Sequence, residues 1–586
     1  MTKENSLKVL VAISILFSGA TSLINEFILS SLSSMIVGNS FVMIMLTIGI
    51  MLFGTGFGSL AQGLISERYL MKKFMRLELT LTIVGGFSPL LIYFLSAYFD
   101  SQFTIALDLS IFFLGFLIGF EIPLLIRVIQ SFNAELKTSL SIIFSSDYFG
   151  AFLGTLLWVY YLLPNYTFTE VGFIVVATNL MFASITYIFY LRNREYFENL
   201  SFENKKTSLN EEIVILKALG KNSLPEEAIL RDLEIEENKE SLFIFLLKII
   251  FVYILLAVGF HYNKDIVIHL EQKLYKDRIV VNETTKYQHL VLTHNKNIDD
   301  YSLYINGSLQ FSSKDKDRYH DLLVHPAVKI FNPSKVLIIG GGDGLVAHEL
   351  QKYKNIEISL VDLDPDMIKL SQSNKHLRAL NHGAFDNINV IDTSGVSLGA
   401  LSIEKDKNTD EVYSRVNLYH IDASKFMMSI KNKQWDLIIV DLPDPSSPEL
   451  TKLYSKQFYT SIRSSLTSNG GIVIQSTSPY HAKESFLMIG RTIRAAGFNN
   501  VLPYHINVPS FGDWGFHIAA KSNLNLKEEF LKIENFDVSL TYLNKDILQS
   551  SLAFGVNELT TEDERINEVT YPVLLDVYQN NPWLAM

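Results

Sequence analysis

Apolar positions fall along this chain in two regimes. Over residues 1–195 they form runs of membrane-spanning length, near 8–36, 41–65, 77–98, 104–126, 139–163 and 170–191. Wound as helices, such runs cross a hydrocarbon core about 30 Å thick. The first follows Lys3 and Lys8, as a signal sequence would. It has no clear small-residue cleavage site and further runs follow, so it is expected to remain as an anchor. Gly54-Thr-Gly-Phe-Gly58 predicts close helix packing. Residues 196–241, mixed in charge and mostly acidic, read as a solvated connector. A seventh apolar segment lies at 242–262, interrupted by Lys248.

The second regime follows. Residues 278–311 alternate as strands do, with Asn306-Gly307 at a hairpin turn, so 263–325 is expected to form a small β-hairpin subdomain. From 326 to 586, apolar strands at 335–340, 356–362, 416–421, 436–441, 471–476 and 515–520 alternate with helical stretches. That pattern predicts a parallel sheet in a Rossmann-like α/β domain. Residues 391–416 read as a polar insertion, and no internal repeat is visible. The predicted fold is multi-domain: an α-helical transmembrane bundle, a β-hairpin subdomain and a Rossmann-like domain.

Composition narrows the chemistry. The 586 residues include no cysteine, which excludes disulfides, thiolate catalysis and thiolate-held metals. A formal net charge of −11 argues against a nucleic-acid partner.

The main chemical signal is Val336-Leu-Ile-Ile-Gly-Gly-Gly-Asp-Gly344. A β-branched run breaks into glycines and restarts as a helix over Leu345 to Tyr353, the front of a nucleotide-binding unit. Asp362 ends the next strand, where it can take a ribose diol. Asp343 inside the turn is unusual, because a carboxylate repels phosphate. The loop therefore expects a nucleoside without phosphate, and a cation. Asp422, in His420-Ile-Asp-Ala423, follows a later strand, where such folds often read an adenine amino group. Asp441 ends the strand Trp435-Asp-Leu-Ile-Ile-Val-Asp441, and the proline-stiffened turn Asp441-Leu-Pro-Asp-Pro445 holds Asp444 nearby. Any one of these aspartates could be a turn former or helix cap. The ordered set points to a negative pocket suited to a sulfonium and a polyamine.

Residues 278–586 resemble the spermidine/spermine synthase family, the polyamine aminopropyltransferases. The matching pieces are Tyr287-Gln288, Asp317-Arg-Tyr-His-Asp-Leu-Leu-Val-His-Pro326, Gly340-Gly-Gly-Asp-Gly344, Asp362-Leu-Asp364, Asp422-Ala423 and Asp441-Leu-Pro-Asp-Pro445. The whole chain is similar to the bacterial subgroup with an N-terminal multi-span domain. Its further pieces include Ser18-Gly-Ala, Asn25-Glu26, Gln475-Ser-Thr-Ser-Pro-Tyr480 and Val508-Pro-Ser-Phe-Gly-Asp-Trp-Gly-Phe516.

The resemblance implies a fold of S-adenosylmethionine-transferase type. It implies transfer of the aminopropyl group of decarboxylated S-adenosylmethionine, a co-substrate rather than a cofactor, to putrescine. Carried over by motif, Gln288, Asp362, Asp422, Ala423 and Pro448 would hold the nucleoside. His320, Asp343 and Asp444 would contact the amine, and Asp441 would accept the proton; no metal is expected. The substrate lacks a carboxylate, so its aminopropyl ammonium can sit beside Asp343, where an ordinary methyl donor would be repelled. The family also implies a homodimer or higher assembly.

Departures bear on the acceptor. Asp321 and Asp362 stand where glutamate is usual, Leu442-Pro443 replace small or polar residues, and Phe511 and Trp514 lie where soluble relatives place a tyrosine. Within the apolar half, Asn25, Glu26, Glu121, Arg127 and Asp147 read either as interhelical or interfacial pairs or as a functional path. Two alternatives stay open: a related S-adenosyl-dependent transferase with another acceptor or a methyl product, and a transporter or sensor whose synthase-like domain only binds. Basic residues at Arg68, Lys72, Lys73 and Arg76, at Arg127 and Lys137, and at Arg192 and Arg194 mark one face as cytoplasmic. A seventh crossing would then carry the C-terminal domain outside, whereas a cytoplasmic substrate requires the reverse. The expectation adopted is a multi-pass protein of the cell (inner) membrane, in contact with lipid, with its catalytic domain in the cytoplasm.

Overall fold

The computed structural model describes residues 3–37, 40–66, 70–99, 102–131, 136–198, 242–393, 415–430 and 435–580. Residues 199–241 of the connector and 394–414 of the insertion lie outside these. The chain divides into two compact units, Met1–Lys276 and Asp277–Met586.

The first unit is helical: α1 (Lys3–Val37), α2 (Ser40–Gln62), α3 (Leu70–Tyr98), α4 (Phe103–Gly119), α5 (Glu121–Gln130), α6 (Leu136–Leu157), α7 (Phe168–Arg192) and α8 (Leu242–Glu271). With α4 and α5 joined through Phe120 as one run, and a π-helical turn at Trp158–Leu162 extending α6, seven described helices are long and apolar enough to cross a membrane. Glycines set the contact between α2 and α4. Gly54 and Gly58 of α2 face the carbonyls of Phe112 and Phe116, while Gly115 and Gly119 of α4 face those of Met51 and Thr55. A β-carbon at any of the four would land on opposing backbone, so the predicted small-residue run is a packing surface.

Helix α8 runs antiparallel to α7 over its length. Phe245 packs on Tyr187 with ring centroids 4.6 Å apart, Tyr253 Oη donates to the Ala177 carbonyl at 3.1 Å, and Thr169 Oγ1 donates to Asn263 Oδ1 at 2.8 Å. Lys264 pairs with Glu170 at 3.1 Å. These polar partners carry α8 past its apolar stretch to Glu271, into residues expected to open the β-hairpin subdomain.

The second unit holds two sheets. A four-stranded antiparallel meander consists of β1 (Arg278–Thr284), β2 (His289–Asn295), β3 (Asp300–Ile305) and β4 (Ser308–Ser312). Asn306 (φ 49°) and Gly307 (φ 80°) turn β3 into β4, the two left-handed residues a tight hairpin requires. The meander buries Leu290, Leu292, Leu303 and Phe311 against Leu345, Met367, Leu370 and Leu377. Helix α9 (Lys316–Phe331) follows and straddles the boundary expected at 325/326.

The larger sheet comprises β5 (Lys335–Gly340), β6 (Glu357–Asp362), β7 (Ile388–Ile391), β8 (Val416–His420), β9 (Trp435–Asp441), β10 (Leu466–Gln475), β11 (Asn500–Val508) and β12 (Gly512–Ala520), in the order β11-β12-β10-β9-β5-β6-β8-β7. All pairings are parallel except those of β12 with β10 and β11. The central strands are apolar on both sides, as a sheet covered on both faces needs. Val336 and Ile338 enter one core and Leu337 and Ile339 the other. Successive strands leave β5 in opposite directions, so the sheet's order reverses between β5 and β9. A crevice opens at such a point, at the carboxyl ends of the strands.

Candidate active site

The strand ends align the acids. Gly340 lies opposite Asp441 in the β5–β9 register, and Asp362 opposite His420 in the β6–β8 register. The glycine turn between them is left-handed at Gly340 (φ 84°), Gly341 (φ 68°) and Gly344 (φ 84°). An added β-carbon at Gly340 would strike the Asp441 carbonyl, and one at Gly342 would come within 2.7 Å of Asp362 Oδ2. Close approach, as much as φ, demands glycine here. Buried Asn381 braces the loop, its Nδ2 donating to the Asp343 carbonyl at 2.9 Å.

Asp343 plays two parts. Its Oδ1 accepts from the Leu345 amide at 2.9 Å, at the start of α10 (Leu345–Gln351). It also joins His320 and Asp441 in a cluster whose ligand atoms lie within 4.8 Å of one another. Such a donor set suits an ammonium group as well as a metal ion. His320 comes from α9, where its Nδ1 lies 2.7 Å from the Lys316 carbonyl. That contact assigns a ring proton to Nδ1.

Asp441 Oδ1 accepts from Tyr319 Oη at 2.6 Å. Burial pushes the Asp441 carboxyl up, the Asp343 charge adds to this, and His320 and Tyr319 oppose it, leaving it at about 6. Asp444 is also pushed up by burial to about 6, against bonds from Tyr578 Oη (2.9 Å), Gln475 Nε2 (3.4 Å) and Thr477 Oγ1 (3.3 Å). The intervening turn is held by its backbone. Tyr454 Oη donates to the Pro443 carbonyl at 2.9 Å and Gln475 Nε2 to the Leu442 carbonyl at 2.6 Å. Leu442 and Pro443 thus contribute to the turn through their carbonyls, and the Leu442 side chain packs against the core. Phe511 packs between Tyr319 (centroids 6.1 Å apart) and Trp514 (4.9 Å), giving an aromatic wall.

The residues assigned to the nucleoside are more dispersed. Burial drives Asp362 to about 7, with the charges of Asp364 and Asp343 adding to it against the amides of Asp364 and Gly342. Gln288 reaches the larger sheet, but its Nε2 donates to Asp364 Oδ2 at 2.8 Å. Thr285 Oγ1 donates to the same oxygen at 2.7 Å, so buried Asp364 anchors the small sheet. Asp422 caps the helix Ala423–Ser429 by accepting from the Lys425 amide at 2.9 Å, and pairs with Lys452 at 2.7 Å. Ala423 opens that helix, and Pro448 opens the short helix Pro448–Thr451. The structure thus brings His320, Asp343 and Asp441 into one cluster. Asp362 packs on the glycine turn, and Asp444 lies on the adjoining turn.

Tyr319, Asp364, Asn381, Tyr454, Gln475 and Tyr578 are additions that sequence reading did not assign to the site. Tyr319, Asp364 and Gln475 sit inside motifs already noted. Tyr578 carries no local signal, since only the fold returns it to Asp444.

A family model described as the spermine/spermidine synthase domain matches residues 316–530. The chain is 31% identical to the polyamine aminopropyltransferase of Leptospira interrogans, covering 97% of each protein. It is 30% identical to that of Oceanobacillus iheyensis, over 95% of this chain and 94% of the relative. Among solved structures, the spermidine synthase of Thermotoga maritima aligns over 48% of this chain and 87% of its own, at 23% identity and a TM-score of 0.39.

Proposed function

The chain belongs to the polyamine aminopropyltransferase (spermine/spermidine synthase) family, and on that premise we propose that it moves the aminopropyl group of decarboxylated S-adenosylmethionine onto putrescine, giving spermidine and methylthioadenosine. The observation that carries this reading is the cluster of Asp441, Asp343 and His320 at the sheet's reversal point, with Asp444 on the adjoining turn.

The sulfonium makes its neighbouring methylene electrophilic. The amine nitrogen attacks that carbon, the carbon–sulfur bond breaks, and its electron pair stays on sulfur as a neutral thioether. The amine enters protonated, with a pKa of about 10, so one proton must leave before attack. Asp441 is the proposed acceptor, because at about 6 it is a better base than a solvent-exposed aspartate. Tyr319 orients it. Asp444 anchors the far ammonium of the diamine, His320 and Asp343 contact the same amine, and Asp343 also faces the aminopropyl ammonium of the donor. Asp362 holds the ribose, while Gln288, Asp422, Ala423 and Pro448 frame the base.

The same proposal makes the protein a multi-pass resident of the cell membrane, lipid-contacting through the seven apolar helices among the described residues, and dimeric like much of its family. The catalytic unit faces the cytoplasm, where both substrates are made.

The test is direct. Purified full-length protein is incubated with decarboxylated S-adenosylmethionine and a panel of diamines, and methylthioadenosine is sought by mass. Putrescine should give the largest yield, and Asp441→Asn should lower turnover by about a hundredfold or more, the usual worth of a positioned base. Nucleoside binding without product from any amine would end the enzyme reading.

A further inference from the structure

We propose that Tyr578, on the last described helix Val573–Gln579, is a positioning residue for the amine acceptor: it engages one oxygen of Asp444, leaves the other to meet the far ammonium, and so sets which diamine length the site accepts. The proposal rests on the transfer reaction proposed above. Its basis is the way the two Asp444 oxygens are used. Oδ2 accepts from Tyr578 Oη at 2.9 Å and from Thr477 Oγ1 at 3.3 Å. Among the described residues, Oδ1 accepts only from Gln475 Nε2, at 3.4 Å. That nitrogen lies closer to the Leu442 carbonyl, at 2.6 Å, and to Tyr454 Oη, at 2.5 Å. Its two protons are committed there, so Oδ1 keeps lone pairs for a charged donor. The bond from Tyr578 is the shortest of the three to this carboxylate, and it fixes which oxygen is left open.

Tyr578 can do this because its helix is clamped to the same turn. Val573 and Leu574 join the core that also holds Met488 and Ile489. Gln579 Nε2 donates to the Ser446 carbonyl at 3.1 Å, two residues beyond Asp444. Buried Asn567 ties the helix to the far side of the turn. Its Oδ1 accepts from the Leu574 amide at 3.3 Å, and its Nδ2 donates to the Thr451 carbonyl at 2.9 Å. Tyr578 itself is buried, so its ring is packed as well as its hydroxyl bonded. A side chain locked in this way holds its partner in one geometry. Asp441 is fixed independently, by its strand end and by Tyr319. The two carboxylates are thereby held at a set separation. In the proposed reaction one takes the proton of the attacking amine and the other anchors the far nitrogen. One methylene more or less moves the far ammonium off Oδ1 or the near nitrogen off its line of attack.

The experiment uses the full-length protein and Tyr578→Phe, which keeps the ring and removes the hydroxyl. With putrescine, KM should rise about tenfold, the lower end for a hydrogen bond to a charged group, while kcat and the KM of the nucleoside donor change little. The spread of kcat/KM across three-, four- and five-carbon diamines should narrow, which damage to the fold would not produce. Thr477→Val removes the longer bond to the same oxygen and should shift KM the same way by a smaller factor. It carries the test if the phenylalanine variant does not fold. Equilibrium dialysis of labelled putrescine in the presence of methylthioadenosine separates this role from the reaction itself. Putrescine binding weakened by Tyr578→Phe, in a protein that makes no product, supports the positioning role and counts against transfer. Product from the unsubstituted protein, with KM and length preference unchanged in both variants, overturns the positioning role and leaves transfer standing. Equal loss of amine and nucleoside binding in the variants, or no diamine binding by the unsubstituted protein, also overturns it.

Discussion

At the scale of single residues, the acids of the site are tuned against one another. Asp441 and Asp444 both stand at about 6, so kcat/KM should fall as pH drops through that value, in a limb belonging to the pair. Two substitutions should move the limb in opposite directions. Asp343→Asn removes a charge that raises Asp441 and shifts the limb to lower pH. Tyr319→Phe removes a bond that favours the carboxylate and shifts it to higher pH, by about one pH unit for a hydrogen bond to a charged group. A pH–rate series on both variants checks this, and shifts of the same sign would dismiss the electrostatic account. Asp343, Asp362 and Asp441 were legible in the sequence because each sits at a strand end or in a glycine turn, where local pattern fixes position. Tyr319 was not, because its contact with Asp441 depends on how α9 lies across the sheet. Gln288 shows the opposite limit: a motif names the residue, but only the fold reveals that its amide is committed to Asp364.

At the scale of elements, a buried ionic network ties α9, α10 and the later segment at Tyr542–Leu543. His325 Nε2 lies 2.8 Å from Glu349 Oε2 and 3.5 Å from Asp321 Oδ1, and its Nδ1 lies 2.8 Å from Tyr353 Oη. Asp321 Oδ2 accepts from the amides of Tyr542 (2.9 Å) and Leu543 (3.0 Å). The length of that side chain, an aspartate where glutamate is usual, suits this backbone clasp. Burial would raise Glu349, but His325 and Lys352 outweigh it and hold it at about 2. Burial would lower His325, but Asp321 and Glu349 raise it above its ordinary value. The lowered acid stabilises the fold above its ordinary value of 4.5 and loses that effect as pH falls toward about 2. The raised histidine stabilises fully below its ordinary value of 6.5 and loses that effect as pH rises through its folded value. The network therefore contributes most between those two ordinary values. His325→Ala should destabilise by about 3–5 kcal/mol there, the usual result of breaking a buried pair. Thermal melts at about pH 5.5 and about pH 8.5 should show a smaller gap from the unsubstituted protein at the higher pH. The central strands were readable because their runs are apolar on both sides. The strands β7 and β11 were not, since each lies at a sheet edge with mixed polarity, and β11 contains Pro503.

At the scale of the whole molecule, the decisive question is the course of the chain across the membrane. The apolar pattern gives seven candidate spans, and the segment Leu242–Glu271 has the highest hydropathy of them, 2.8. Its antiparallel run along α7 takes Phe245 to Tyr187 at one end and Asn263 to Thr169 at the other. If α7 crosses, α8 crosses back, and the chain leaves the helical unit on the side of Thr169, away from Arg192. This removes one way of reconciling basic loops and catalytic unit in the same compartment. A reporter inserted between 199 and 241 and a second at the C-terminus should therefore report opposite sides of the membrane in intact cells. Agreement between the two would mean that Leu242–Glu271 does not cross. With the catalytic unit in the cytoplasm, as proposed above, Lys72, Lys73 and Arg76 face outward, against the usual bias of Lys and Arg toward the cytoplasm. A cytoplasmic signal from the connector would instead show that charge bias sets the orientation. It would put the catalytic unit outside, so that its nucleoside and amine must be delivered across the membrane before the reaction can run.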